Sequence, residues 1–291
     1  MRKILTVFGL LAFAVGHVSV LANGEISGDA VMVNPSEGWW CKVAEKNAAI
    51  LHTDDGGRHW KDVSPSGIPT IVKQLSTHPS EPVLDDVPGL DAVDGRRAWV
   101  SILPVEAAGI WLYGTRDAGR HWTRAVASFA AEIVFLNFFD MRRGYLLAGG
   151  HGLGHMDQDI YHTDDGGRHW RKRATTKDRG YYTSGMVFRT PSEGWLTGSY
   201  RSVEFPLFHT ANGARSWQLQ KFPVPKDYVG GYANTYPPVF TGARKMNGYL
   251  PVELVRHDPK PDHRAWVNYE SEDGGRTWHL PAAGVQSVNE D

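Results

Sequence analysis

Cysteine is nearly missing from this chain of 291 residues: Cys41 stands alone, so no intramolecular disulfide can brace the fold. Neither sign of charge is in excess, with 31 Lys and Arg against 32 Asp and Glu. That balance argues against a nucleic-acid partner or a charge-driven membrane binder. Long apolar runs are lacking beyond the N-terminus. There, Arg2 and Lys3 precede the apolar run Ile4 to Val15, which is too short for a comfortable transmembrane span. Val20-Leu-Ala22 then supplies small side chains at −3 and −1 of a cleavage site, and no cysteine follows at a lipoprotein position. The expectation is a signal peptide over 1–22, a periplasmic or secreted mature chain 23–291, and no integral membrane span after cleavage. With 41% hydrophobic residues, the remainder is expected to fold rather than stay disordered. Cys41 follows Trp39-Trp40 in an expected strand and is read as a buried, inert thiol.

What the chain does have is repetition. The nine residues HTDDGGRHW occur at His52–Trp60 and again at His162–Trp170. Looser copies complete a set at 53–60, 115–122, 163–170, 210–217 and 271–278, with the pattern Ser/Thr-x-Asp-x-Gly-x-x-Trp in all but the fourth. Residues with strand preference lead in, an Asp/Gly turn follows, and an aromatic restarts a strand, which describes a β-hairpin. Gly57, Gly119, Gly167 and Gly275 are expected to supply positive φ. The carboxylates of Asp55, Asp117, Asp165 and Asp273 are expected to accept hydrogen bonds from the turn's own N–H groups. Trp60, Trp122, Trp170, Trp217 and Trp278 are expected to pack beneath the turns as buried indoles. The fourth copy, with Asn212 and Ala214 in place of Asp and Gly, is expected to be a weaker hairpin.

A second column lies upstream of each turn: Gly38-Trp39, Ala98-Trp99, Gly144-Tyr145, Gly194-Trp195 and Gly248-Tyr249. Its distance to the turn tryptophan is 21, 23, 25, 22 and 29 residues, as a stacked repeat unit requires. The small residue is read as letting neighbouring sheets approach, the aromatic as filling the gap between them. Turn tryptophans are 62, 48, 47 and 61 residues apart, which suits four-stranded units. The two long spacings place insertions at Ser64 to Asp91 and Gln218 to Tyr236, and a shorter one falls at Arg256 to Arg264.

These turns resemble the Asp-box, or bacterial neuraminidase repeat, of sialidases and related β-propellers. Their spacing looks most like the photosystem II assembly and stability factor family. The resemblance covers about Asp29 to Pro281 and implies an all-β fold, a single Asp-box β-propeller of five four-stranded blades. It implies little about chemistry, because such boxes lie on the blade periphery. Sialidases carry an Arg-Ile-Pro motif ahead of the first box, and that tripeptide is absent here.

Candidate chemistry is sparse. His151, His155, Asp157 and Asp159 form the most ligand-like cluster, although the spacing matches no known metal site and a solvated loop is the simpler reading. No metal and no cofactor is therefore assigned. Tyr181, Tyr182 and Arg201, with Arg179, are candidates for a protein-binding patch; Tyr181-Tyr182 reads equally as the start of an inner strand. His52, His162 and His209 hold equivalent places before three boxes and read as structural. The reading that results is a non-enzymatic binding or assembly platform for another envelope or secreted protein. Its alternative is a carbohydrate-active enzyme or lectin taking a glycan in the central funnel.

Overall fold

In the computed structural model the described residues are 17–19, 27–44, 47–69, 89–104, 109–129, 131, 133–150, 158–176, 182–199, 205–241, 244–256, 263–282, 284 and 286–288. They form five antiparallel sheets in chain order, the blades of an all-β, five-bladed propeller. Blade 1 holds β1 (His17–Ser19), β2 (Ser27–Met32), β3 (Gly38–Ala44), β4 (Asn47–Thr53) and β5 (Lys61–Asp62). Blade 2 holds β6 (Leu90–Ala92), β7 (Ala98–Ile102), β8 (Ile110–Thr115) and β9 (Trp122–Ala127). Blade 3 holds β10 (Ile133–Phe138), β11 (Gly144–Gly149), β12 (Gln158–Thr163) and β13 (Arg171–Thr175). Blade 4 holds β14 (Tyr182–Phe188), β15 (Gly194–Ser199), β16 (Leu207–Thr210) and β17 (Gln218–Leu219). Blade 5 holds β18 (Tyr232–Thr235), β19 (Val239–Thr241), β20 (Asn247–Arg256), β21 (His263–Ser271) and β22 (Gln286–Val288). Apart from β1 and the split inner position of blade 5, each blade is a four-stranded meander in which neighbours in sequence pair, so its first and third turns lie at one end.

The first and last sheets carry a fifth strand. In blade 1 it is β1, whose His17–Ser19 pairs with Asp29–Val31 and lies inside the stretch read as a leader. In blade 5 the inner position is split, because β18 and β19 both pair with β20. Tyr232–Thr235 is therefore strand, where an insertion through Tyr236 had been expected. Pro237 and Pro238 explain the break, since neither has an N–H to give to the ladder. Between β17 and β18 the rest of that expected insertion holds one 3₁₀ turn, Lys226–Tyr228. Among the described residues no helix is long and apolar enough to cross a membrane.

The chain divides into two compact units, Met1–Ala148 with His162–Arg171, and Gly149–Tyr161 with Lys172–Asp291. The first has a core of Val31, Trp39, Cys41, Ile50, Val100 and Ile102, with the Cys41 thiol fully buried as read from its neighbours. The second is built on Trp195, Leu207, Leu250, Leu254, Val267 and Tyr269. Rings link successive blades within each unit. Trp99 stacks on Phe138 at 4.4 Å, and Trp195 meets Phe240 at 4.7 Å. Trp39 donates its indole N–H to the Asp94 carbonyl at 3.0 Å, and Trp122 donates to the Val63 carbonyl at 2.6 Å.

The small residue before each aromatic has a different job from the one expected. Gly194 pairs across strands with Phe188, and a Cβ on Gly194 would lie 2.5 Å from that ring. Gly144 and Gly248 stand in the same relation to Phe138 and Phe240. Glycine here makes room for a ring of its own sheet, and at Phe138 and Phe240 that ring reaches the preceding blade. Blade 2 shows the converse, with Ala98 opposite Ala92 and no ring to accommodate.

Candidate functional site

The repeated turn is built around its hydroxyl. Thr53, Thr115, Thr163, Thr210 and Ser271 are 1–3% exposed, and each accepts the N–H four residues on at 2.8–3.2 Å. Each also donates to the Asp or Asn oxygen two residues on, at 2.9–3.1 Å. That oxygen accepts the backbone N–H of His59, His121, His169, Ser216 or Thr277 at 2.9–3.0 Å. Both residues after the acid have positive φ, not the glycine alone that the sequence suggested: 77° and 83° at Gly56-Gly57, 69° and 66° at Gly213-Ala214. Ala214 accepts a left-handed conformation costing about 1–2 kcal/mol and keeps every turn hydrogen bond, so the fourth hairpin is complete.

These hydrogen bonds hold the turn carboxyls at about 2. For Asp55 the His59 backbone N–H is the chief cause, and for Asp117 the His121 side chain. For Asp165 and Asp273 burial pulls upward and is outweighed by hydrogen bonds from His169 and Thr277. In three copies the second carboxylate oxygen lies 2.6 Å from the Nδ1 of an exposed histidine, at His59, His121 and His169.

In blades 1 to 4 the turn before the small-aromatic strand, called the first turn here, carries a second, less regular lock. Asn34, Asp94, Asp140 and Thr190 accept the N–H groups two and three residues on, at 2.7–3.3 Å. The two turns are clasped together within each blade. Gly56, Ala118, Gly166, Gly213 and Gly274 donate backbone N–H groups to the carbonyls of Ser36, Arg96, Arg142, Ser192 and Met246 at 2.7–2.9 Å.

This clasped end bears the candidate site. At the last two positions of the first turn, blades 1 and 4 have Ser36-Glu37 and Ser192-Glu193, whereas blades 2 and 3 have Arg96-Arg97 and Arg142-Arg143. In the first unit Arg97, Arg116, Asp140, Met141, Arg142, Arg143 and Asp164 line an open cleft of about 520 Å³. Two guanidiniums are committed, Arg97 to Asp94 at 2.6 Å and Arg143 to Asp140 at 2.8 Å. Arg142 gives its Nε–H to the Asp164 carbonyl at 3.3 Å. Arg116 is exposed and has no hydrogen-bond or ion-pair partner among the described residues. Four guanidiniums against two carboxylates in the lining leave an excess of positive charge, so the cleft suits an anion; arginine forks match carboxylates and phosphates in particular. The signal in the sequence was the switch from Ser-Glu to Arg-Arg at one repeat position.

Corresponding junctions elsewhere are occupied by side chains. Between blades 1 and 2 the Glu37 carboxylate lies against Gly95, filling the place of a Cβ. Between blades 4 and 5 Arg189, only 8% exposed, lies against Gly274 and is ion-paired with Glu193. Glu193 also faces the Nε2 of His209 at 3.5 Å and the Nε of Arg276 at 3.7 Å.

The other residues singled out from the sequence are scattered. His151, His155, Asp157, Tyr181 and Arg201 lie outside the described residues. Asp159 is engaged by Lys172 at 2.7 Å and by the Tyr161 hydroxyl at 3.3 Å. Tyr182 opens β14, the inner strand of blade 4. Among the described residues no group of three or more His, Cys, Asp or Glu is placed to hold a metal ion. His52, His162 and His209 each pack against the aromatic of the small-aromatic column, edge-on at His52 and tilted at the other two, with ring centroids 4.6, 4.9 and 5.0 Å apart. Trp217 and Trp278 are buried, but Trp60, Trp122 and Trp170 are only half-buried.

No family model matches the sequence, and neither does any curated protein. Solved structures do resemble it. One is described as YCF48 bound to D1 peptide, 12% identical over 92% of this chain and 86% of that one, with a TM-score of 0.44. YCF48 from Cyanidioschyzon merolae is 14% identical over 80% of this chain and 66% of its own, with a TM-score of 0.45. A GH74 xyloglucanase from Xanthomonas campestris is 17% identical over 89% of this chain, with a TM-score of 0.46; this chain spans 37% of that enzyme's length.

Proposed function

We propose that this chain is an exported, non-enzymatic propeller of Asp-box type that serves as a protein-binding or assembly platform, receiving an acidic segment of an envelope or secreted partner. One observation carries the reading: the junction of blades 2 and 3 is an open cleft lined by four arginines, whereas corresponding junctions are filled by Glu37 and Arg189. Arg116 and Arg142 are exposed and supply the N–H forks for a partner carboxylate, while Arg97 and Arg143 are braced by Asp94 and Asp140. Arginine is also the charged residue most often found among the anchors of protein interfaces.

The test pairs the wild-type chain with Arg116→Glu/Arg142→Glu as bait against the envelope fraction, under mild cross-linking. Both positions are exposed, so the variant should melt like the wild type. A partner recovered in stoichiometric amount by the wild type and lost by the variant supports the platform. Identical recoveries for the two baits overturn it. Turnover of a fluorogenic glycoside by the wild-type chain would likewise overturn the non-enzymatic part of the reading.

A further inference from the structure

Asn212-Gly213 stands where three of the other copies have Asp-Gly. The Asn212 side chain occupies the aspartate's place atom for atom. Its Oδ1 accepts the Thr210 hydroxyl at 3.0 Å and the Ser216 N–H at 2.9 Å. Its Nδ2 donates to the Ser216 hydroxyl at 2.8 Å. In the fifth copy the corresponding hydroxyl, that of Thr277, instead donates to the second oxygen of Asp273 at 2.7 Å.

Two donors on one carbonyl oxygen, at the distances found in oxyanion holes, polarise the carbon between them. Here that carbon is Asn212 Cγ, and the next backbone nitrogen belongs to Gly213, which has no side chain to obstruct it. We propose that Asn212 is a self-modification site, at which the turn converts asparagine to aspartate and so completes the fourth box.

The chemistry needs only the chain and water. The Gly213 nitrogen bonds to Asn212 Cγ, and the negative charge gathers on Oδ1 between Thr210 and Ser216. The Cγ–Nδ2 bond then breaks. Ammonia leaves with the proton given up by the Gly213 nitrogen, relayed through the Ser216 hydroxyl that touches Nδ2. Water next adds to Cγ of the cyclic imide, and the Cγ–N bond opens, returning a proton to Gly213 and leaving a carboxylate on residue 212. Opening at Cγ, the carbon the two donors polarise, gives ordinary aspartate; opening at the main-chain carbonyl would give the iso-linked form. The brake is the Gly213 N–H bond to the Ser192 carbonyl at 2.9 Å, which must release before attack. In the product the Ser216 hydroxyl turns to donate, as Thr277 already does.

Asn247-Gly248 supplies an internal control, the same dipeptide at the exposed start of β20 with no hydrogen bond to the Asn247 side chain among the described residues. The folded full-length chain is incubated at mildly alkaline pH, and its peptides are analysed by mass spectrometry that separates aspartate from isoaspartate. The expected result is that residue 212 converts several-fold faster than residue 247 and yields mainly aspartate. In urea the two sites should convert alike, with isoaspartate in excess at both. Ser216→Ala should slow conversion at residue 212 several-fold and leave residue 247 unchanged; Thr210→Ser, which keeps the hydroxyl, should behave as wild type. Asparagine persisting at 212 while 247 converts, or isoaspartate dominating at 212 in the folded chain, would overturn the proposal. Neither of those readings depends on a variant folding.

Discussion

Replacing Thr163 by valine removes one oxygen and keeps the side-chain volume. Thr163 is 1% exposed, accepts the Gly167 N–H at 2.9 Å and donates to Asp165 at 3.0 Å. Each of those bonds contributes about 1 kcal/mol net, and a buried N–H left without an acceptor costs about 1–3 kcal/mol. Since the orphaned N–H is one partner of the first bond, the two figures overlap, and the expected loss is about 2–4 kcal/mol. The fifth copy uses Ser271 with the same two contacts at 2.8 and 2.9 Å, so Thr163→Ser should hold the turn. Urea unfolding of wild type, Thr163→Ser and Thr163→Val separates the hydroxyl from the methyl. The valine variant should show a lower midpoint at unchanged slope. If valine and serine variants agree within about 0.5 kcal/mol, the turn does not depend on its hydroxyl.

Other outcomes follow from the same geometry. Gly194→Ala should cost about 1–3 kcal/mol by forcing a Cβ into the Phe188 ring, visible as a lowered melting temperature; an unchanged one would mean the ring can move aside. Trp278→Ala, at a 3% exposed site, should cost about 3–5 kcal/mol, and Trp170→Ala, at a half-buried one, distinctly less; thermal denaturation ranks them. Asp165→Asn tests the acid limb. The carboxyl lies at about 2 in the fold against an ordinary 3.8, so its stabilising contribution is present above 3.8 and is lost as pH falls through about 2. The stability gap between wild type and this variant should therefore be full at neutral pH and close near pH 2; a gap independent of pH would refute the assignment.

The turns, the blade count and the structural part of the histidines preceding the turns were legible in the sequence, because each rests on residues at fixed spacing. His52 and His209 had to be repetitive to pack against Trp39 and Trp195. The first-turn lock escaped notice because its acceptor changes identity, from Asn34 to Asp94, Asp140 and Thr190, while the geometry stays constant. Blade 5 misled for a physical reason. Tyr232–Thr235 pairs as strand on one side of Pro237-Pro238, and prolines in sequence look like loop. The cleft was harder still, since its lining comes from four separate turns and its openness depends on what does not fill it. Only the exchange of Ser-Glu for Arg-Arg at equal repeat positions pointed there.

The clasp between first and third turns starts and ends within a single blade in all five copies. Its donors and acceptors are main-chain groups, so it survives almost any change of side chain. A duplicated stretch of gene encoding one blade would thus arrive with its own fastening already included and would need only ring partners from its neighbours. Inheritance by copying is easy for such a unit, and so is later divergence. That is a sufficient reason for nine residues to remain identical in two blades while the neighbouring turn has turned from acidic to basic.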